Sequence, residues 1–323
     1  MGLGLRKSYI FSAAGLIVIA LGITALVFSA GFPQTTHPTV PASVGKPISS
    51  SEMEALIDKP GPIEVKTIVA ADWKTDYSGL LNLKDPKAVQ AGLTDHLEPI
   101  QIYTHVLRHP KYGFFLVDTG VSKAFVEDPK SLGVPWVLRN FAHMDKLQLR
   151  NDTATVIKSE GVPLKGVLMT HLHFDHISGM SDVPKDVSFY TGSGEAEEKK
   201  TENFVSEGME NIFFDGRPAI QEFQFAKDPD GKFEGIIDVF GDGSLFAILT
   251  PGHTAGHISY LARTPNGPVL LTGDACHTRW GWEHGVEPGT YTYDREEERR
   301  SLFALKALSA RHPNMVVRLG HQP

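Results

Sequence analysis

Four apolar segments of this chain each run directly into a tight turn that carries histidine or aspartate, and this repeated arrangement constrains the fold more than any other feature. The densest turn follows "GVLMT" and reads "HLHFDHISG", with three histidines and one aspartate in six residues. The other three turns follow "LFAILT", "VLLT" and "MVVRL". Rigid scaffolds present functional side chains at strand ends, so the four turns together predict one site.

The polar residues in these turns are types that coordinate metal ions. Histidine and carboxylate ligands suit Zn²⁺ and also permit Mn²⁺ or Fe²⁺. The candidate metal ligands are His171, His173, Asp175, His176, His253, Asp274 and His321. Each of the last three, taken alone, is better interpreted as an ordinary buried or solvated polar residue. Their combination with the first cluster favours metal ligation.

The rest of the chain mixes hairpins with helices. Strands are predicted in "IEVKTIVAADW" and on both sides of the turn in "IQIYTHVLRHPKYGFFLVDTG", and hairpins in "IIDVFGDGSLFAILT" and "HISYLARTPNGPVLLTGD". Helices are predicted over 152–160, within the charged segment "GEAEEKKTENFVSEGME", and from near Asp294 to before Pro313. This mixture fits sheets that are covered by helices on their outer faces.

The N-terminus carries a membrane signal. Arg6 and Lys7 precede an uncharged apolar run of 21 residues, 10–30, which matches the roughly 20 residues that span a bilayer. We interpret it as an uncleaved transmembrane helix that places the following residues in the periplasm. The alternative is a cleaved signal peptide and a secreted protein, although Phe28 is large for the position three before a cut at Ala30. A buried core helix fits the flanking charges less well.

Segment 32–62 contains several prolines among Ser, Thr and Gly and is predicted to be an extended linker, within which a short helix over Ser51 to Ile57 is possible. The chain is thus divided into an anchor or signal segment (1–31), the linker and a folded domain (63–323) that carries all the candidate ligands. A chain that begins at Ile63 is expected to be soluble and active, because no site residue precedes that point. A net charge of −7 without a basic block argues against nucleic acid as a partner.

The single cysteine, Cys276, excludes an internal disulfide and is interpreted as structural.

The motif order "HLHFDH", "PGHTAGH", "TGD" and "GH" resembles the metallo-β-lactamase superfamily over residues 63–323, including "LVDTG" near Asp118. The resemblance implies an α/β fold, the four-layer αββα sandwich, with two Zn²⁺ ions between the sheet edges. Carried over by motif, the first ion is bound by His171, His173 and His253. The second is bound by Asp175, His176 and His321, and Asp274 bridges the two.

The complete ligand set favours a hydrolase over a non-catalytic metal-binding protein of the same fold. Two metal ions can supply hydroxide near neutral pH, and Asp175 is expected to orient it and accept its proton. "HLHFDH", "TPGHTAGH" and "GHQ" most resemble the quorum-quenching N-acyl homoserine lactone lactonases. A small lactone is therefore the expected substrate, and a phosphotriester, another ester or a thioester is the alternative.

His277 stands where those lactonases often carry tyrosine, three residues after the bridging aspartate. It is expected either to act in catalysis, by binding the substrate carbonyl or protonating the leaving alkoxide, or to be a solvent-exposed loop histidine. Its neighbours Arg279, Trp280 and Trp282 are predicted to line a pocket for an apolar substrate with a polar head. The oligomeric state is left open.

Overall fold

The computed structural model describes residues 30–201 and 203–323, and two β-sheets pack face to face in this part of the chain. The strands of the first sheet are β1 (Thr39–Pro41), β3 (Glu64–Asp76), β4 (Leu97–His109), β5 (Gly113–Val117), β6 (Gln148–Leu149), β7 (Leu164–Leu168), β8 (Ser188–Gly192) and β9 (Ile220–Phe223). Their order in the sheet is β1-β9-β8-β7-β5-β4-β3-β6. Strands β3, β4 and β5 are antiparallel neighbours, and β5, β7, β8 and β9 run parallel.

The second sheet is largely antiparallel. Its strands are β2 (Lys46–Pro47), β10 (Ile236–Asp238), β11 (Leu245–Leu249), β12 (Ile258–Thr264), β13 (Gly267–Leu271) and β14 (Val316–Arg318), in the order β14-β13-β12-β11-β10-β2. Side chains from both sheets meet in a buried layer that includes Leu107 and Leu168 from the first sheet and Tyr260 and Leu271 from the second.

Helices cover the outer face of each sheet. They are α1 (Ser50–Ile57), α2 (Tyr77–Leu80), α3 (Pro86–Gln90), α4 (Lys123–Glu127), α5 (Trp136–Phe141), α6 (Thr153–Ser159), α7 (Phe174–Ile177), α8 (Asn203–Phe214), α9 (Arg279–His284) and α10 (Arg295–Arg311). Phe125 and Phe213 pack on the first sheet, while Met53 and Leu305 pack on the second. The predicted four-layer αββα architecture is therefore confirmed.

Most predicted elements are present, but the helix in the charged segment begins later than expected. It starts at Asn203, since residues 193–197 form a turn and the backbone of Lys200 pairs with that of Phe32. Gly194 adopts a φ of 78° there, a conformation that glycine tolerates well. The Glu195 side chain accepts hydrogen bonds from the backbone N–H groups of Leu172 and Gly256. The turn therefore stabilises the two loops that contain these residues.

Segment 32–62 differs from the predicted extended linker. Strand β1 pairs in parallel with β9, and β2 pairs with β10, so each adds an edge strand to one sheet. Proline is tolerated on edge strands, because one side of the strand needs no hydrogen-bonding partner. Helix α1 buries Met53 and Ile57 completely in the outer core of the second sheet. Proline content therefore did not prevent this segment from packing.

The predicted membrane segment, residues 10–30, lies outside the described residues except for Ala30. Among the residues that the structure describes, no helix is both long enough and apolar enough to cross a bilayer.

The topology brings the motif-bearing turns to one edge of the sandwich. In the first sheet, the parallel strands β5 and β7 end at Asp118 and at the "HLHFDH" turn. In the second sheet, β11, β13 and β14 all run in one direction and end at the turns that carry His253, Asp274 and His321. The edges of the two sheets therefore face each other across the candidate site.

Candidate metal centre

The seven predicted ligands form two adjoining groups between the sheet edges. In the first group, one ring nitrogen each of His171, His173 and His253 lies within 4.8 Å of the others. In the second, the ligand atoms of Asp175, His176, Asp274 and His321 lie within the same distance of one another. The sequence motifs thus identified side chains that the fold brings together.

Asp274 lies between the two groups. Its Oδ2 atom is 3.4 Å from the Nε2 of His253 and 3.8 Å from that of His171, both in the first group. The same oxygen is 3.3 Å from the Nε2 atoms of both His176 and His321 in the second. Two ligands that bind one Zn²⁺ at bond lengths near 2.0–2.1 Å in tetrahedral geometry lie about 3.4 Å apart. The spacing therefore fits Asp274 as a shared ligand.

Buried polar atoms in the centre lack partners that a cation would supply. The Nε2 atoms of His171 and His176 and the Oδ1 atom of Asp274 are inaccessible to solvent and have no hydrogen-bond partner among the described residues. Such atoms are costly to bury unless something satisfies them. The donor set therefore fits a metal site.

The electrostatics of the centre also favour cations. Burial holds the pKa values of His171, His173 and His253 well below their usual range, so these imidazoles are neutral and keep the lone pair that a metal needs. Burial lowers the pKa of His176 too, but the surrounding carboxylates, above all Asp274, outweigh it and raise that pKa well above 6.5. The second group therefore favours positive charge.

Hydrogen bonds fix how the ligand rings point. The Nδ1 of His321 donates to the carbonyl of Gln101 at 2.9 Å, and the Nδ1 of His176 lies 2.8 Å from Asp118 Oδ2. The Nδ1 of His171 lies 3.1 Å from the Thr170 hydroxyl. In each case Nε2 is left to face the centre, the arrangement typical of metal-binding histidines.

Two buried residues that support the ligand loops were not predicted. His257 is fully buried, and its Nε2 accepts the backbone N–H of Asp274 at 3.0 Å. Glu195 accepts the N–H of Leu172 at 2.8 Å and that of Gly256 at 3.0 Å, which ties two ligand loops together. Burial, helped by Glu198, raises the pKa of Glu195 to about 7. His257 is the last residue of the "PGHTAGH" motif, but no pattern in the sequence distinguishes Glu195 as a supporting residue.

His277 is buried beside the centre and is not a solvent-exposed loop histidine. Its Nδ1 lies 3.1 Å from the carbonyl of Leu80, which can only accept, so Nδ1 carries a proton. Its Nε2 consequently faces Asp274 Oδ2 at 3.0 Å, and with His253 and Asp274 it forms a third group of potential ligands.

A cavity of about 490 Å³ opens over the centre. Its floor consists of site residues, including Asp175 and His277. One wall is apolar and is formed by Trp73, Leu80, Ile100, Leu138, Phe141 and Phe174. Another wall is polar: Gln34 donates to Glu210 at 2.7 Å and to the carbonyl of Leu172 at 3.1 Å. Gln34 comes from the segment that was predicted to be a linker.

Arg279, Trp280 and Trp282 do not line this cavity, contrary to prediction. Thr278 caps the N-terminus of α9, and the short helix directs both indoles elsewhere. Trp280 stacks on the ring of His284, with centroids 4.2 Å apart, and Trp282 packs against the outer core of the second sheet. Arg279 is exposed and donates to the Pro323 carbonyl.

Cys276 is buried with Leu302 and Leu319, which agrees with a structural role. Burial raises the pKa of its thiol to about 12. A thiol held neutral in this way is a poor nucleophile.

Comparisons with known proteins agree with the geometry. A family model of the metallo-beta-lactamase superfamily matches residues 97–321. The N-acyl homoserine lactonase AttM of Agrobacterium fabrum is 30% identical over 254 residues, which cover 76% of this chain and 91% of that protein.

Solved structures share the fold. A quorum-quenching N-acyl homoserine lactone lactonase aligns with a TM-score of 0.57 at 20% identity, covering 82% of this chain and 94% of that one. The dizinc quorum-quenching lactonase AidC aligns with a TM-score of 0.54 at 15% identity, covering 88% and 92%.

Proposed function

Because the chain belongs to the metallo-β-lactamase superfamily and is a metallohydrolase related to N-acyl homoserine lactonases, we propose that it hydrolyses lactones of the N-acyl homoserine lactone type. The observation that carries this proposal is that five of the seven candidate ligands lie on the floor of a cavity with a largely apolar wall; these five are His173, Asp175, His253, Asp274 and His321. Such a cavity accommodates an apolar acyl chain while the polar lactone ring reaches the floor.

The residues fit two metal ions, which we propose to be Zn²⁺, with Mn²⁺ or Fe²⁺ as alternatives. His171, His173 and His253 would hold one ion, and Asp175, His176 and His321 the other, with Asp274 shared. When bound, such ions polarise a carbonyl oxygen and lower the pKa of water. The AidC lactonase, described as dizinc, has the same fold and supports this proposal.

Asp175 and His277 are the candidates for moving protons. Asp175 lines the cavity, and its Oδ2 lies 3.3 Å from the Nε2 of His321. We assign it the proton that water loses when it adds to the lactone carbonyl. When the ring C–O bond then breaks, the leaving alkoxide would take a proton from Nε2 of His277. For this step His277 would be an imidazolium, with one proton on Nδ1 for the Leu80 carbonyl and a second on Nε2 beside Asp274 Oδ2, and the proton held by Asp175 would then replace the one that is transferred.

The apolar wall sets an expectation for specificity. Trp73, Leu138 and Phe174 would contact the acyl chain, and each buried methylene contributes about 0.8 kcal/mol. Longer acyl chains should therefore bind better until the cavity is full. A phosphotriester is the second candidate, because His277 replaces the tyrosine that lactonases often carry at this position.

Steady-state kinetics of metal-replete protein tests the proposal. N-acyl homoserine lactones with short and long acyl chains would be compared with a phosphotriester, a thioester and a β-lactam. We expect the highest kcat/KM for a lactone, increasing with acyl length. A higher kcat/KM for any of the other three would contradict the proposed substrate class while leaving the metallohydrolase assignment intact.

A further inference from the structure

Large apolar side chains stand exposed around the mouth of the cavity. Phe141 and Tyr293 line the cavity, yet their exposures are 61% and 62%. Trp136, in the same helix as Phe141, is 66% exposed. Phe204, which is 58% exposed, lies between two residues of α8 that line the cavity. We call these four residues the rim.

The rim residues lie on neighbouring elements at the mouth. Helices α5 and α8, which carry Trp136, Phe141 and Phe204, pack against each other. Tyr293 lies under the ammonium group of Lys200, which is 4.7 Å from its ring centroid. Tyr291 also lines the cavity, and its ring centroid is 6.4 Å from that of Phe141. Large exposed apolar side chains that are grouped in this way indicate an interaction site.

The chain enters the described structure at this rim. Phe32 and Lys200 exchange backbone hydrogen bonds of 2.9 and 3.0 Å. The ring of Phe32 packs on Phe204, with centroids 5.1 Å apart. Residue 32 is therefore held beside the mouth of the cavity.

The sequence immediately before Phe32 is the uncharged apolar run 10–30. The run ends at Ala30, and two residues reach at most about 7 Å. Its 21 residues are enough to span the roughly 30 Å hydrocarbon core of a bilayer. A membrane that takes up this run must therefore lie next to the rim.

We infer that the rim docks on the surface of a lipid bilayer, so that the mouth of the cavity faces the membrane. The composition of the rim agrees with this occupant, because tryptophan and tyrosine concentrate at the interface between lipid and water. A second copy of the chain or a protein partner would leave unexplained why the apolar run leads directly to this face. The inference does not depend on which substrate is hydrolysed.

One consequence does rest on the proposed function. A lactone with a long acyl chain partitions into the bilayer, and a mouth held at the interface would receive it there. Hydrolysis of a long-chain lactone would then be faster for protein in vesicles than for protein in detergent, whereas a short-chain lactone would show no such gain.

Tryptophan fluorescence tests the docking itself. The chain contains four tryptophans, at positions 73, 136, 280 and 282. Full-length protein would be incorporated into phosphatidylcholine vesicles, with or without bromine on the lipid acyl chains near the headgroup. Trp136→Phe keeps an aromatic ring on an exposed site and so should fold normally. Trp282→Phe is the matched control, because Trp282 packs against the outer core of the second sheet.

We expect brominated lipid to quench the wild type and Trp282→Phe equally, and Trp136→Phe to lose most of that quenching. Equal quenching in all three proteins, no quenching, or protein that remains in the aqueous phase would overturn the inference. Protection of Trp136 from acrylamide that depends on protein concentration without lipid would also overturn it, in favour of a second copy. All these readouts are independent of lactone hydrolysis.

Discussion

The carboxylate of Asp118 holds the ring of His176 by a hydrogen bond of 2.8 Å to Nδ1. The same carboxylate accepts the backbone N–H of Thr170 at 2.8 Å, just before the "HLHFDH" turn. Asp118 itself adopts a φ of 55°, an uncommon conformation for a residue other than glycine. It therefore orients one candidate ligand and anchors the loop that carries three more.

Asp118→Asn should weaken metal binding without abolishing the fold. An amide is a poorer acceptor for the imidazole N–H, and the loss of such a supporting partner typically costs about 10- to 100-fold in metal affinity. Competition with a chelator measures the change. Asp242→Asn is the matched control, because Asp242 pairs with His109, which is not a site residue, at 3.0 Å. Equal affinities in the two variants would remove Asp118 from the metal centre.

His277→Ala should keep both metal ions but lower kcat by at least about tenfold, because the leaving alkoxide loses its proton donor. His277→Tyr should retain more lactonase activity than His277→Ala, since a phenol can also donate. Metal analysis and kinetics on the same samples check this. An unchanged kcat would exclude a catalytic role, and loss of one ion in the alanine variant would make His277 a ligand.

The candidate ligands could be predicted because they follow local patterns that recur at strand ends, whereas the four-layer fold was implied by the resemblance to the metallo-β-lactamase superfamily. Prediction from the sequence failed where contacts join distant segments. Gln34 meets Glu210 in the cavity wall, and no local pattern pairs residues so far apart. Trp280 and Trp282 are expected in the pocket because they are neighbours of His277 in the sequence, but their helix directs them to other contacts.

Segment 32–62 should be required for folding, contrary to the expectation from its composition. Removing residues 1–62 deletes two edge strands and the buried face of α1, so we expect loss of the cooperative unfolding transition.

A single substitution tests the same packing. Met53→Ala should lower the free energy of unfolding by about 2–5 kcal/mol, because Met53 is fully buried. Val89→Ala, on an exposed helix position, should change the free energy of unfolding by less than about 0.5 kcal/mol. Similar values for both variants would contradict this packing.

Glu54 gives the same segment a pH-dependent contribution. Burial raises its pKa, but hydrogen bonds from Arg311 and Lys232 outweigh burial and lower the pKa to about 2. A depressed pKa means that the contribution is complete above 4.5, the ordinary value, and is lost as the pH falls toward 2.

The difference in the free energy of unfolding between the wild type and Glu54→Gln should therefore be largest near neutral pH and decline below about pH 4.5. Denaturant titrations at several pH values measure it. A difference that does not vary with pH would show that the charge of Glu54 contributes nothing.

The seven candidate ligands are expected to bind two metal ions that hydrolysis requires, and metal titration of stripped protein tests this claim. Activity of the full-length protein should rise with added Zn²⁺ and level off at about two ions per chain, since seven ligands exceed what one tetrahedral site uses. His171→Ala and Asp274→Ala should bind fewer ions and lose activity while keeping a native circular dichroism spectrum. Full activity in protein that elemental analysis shows to be free of metal would contradict the claim.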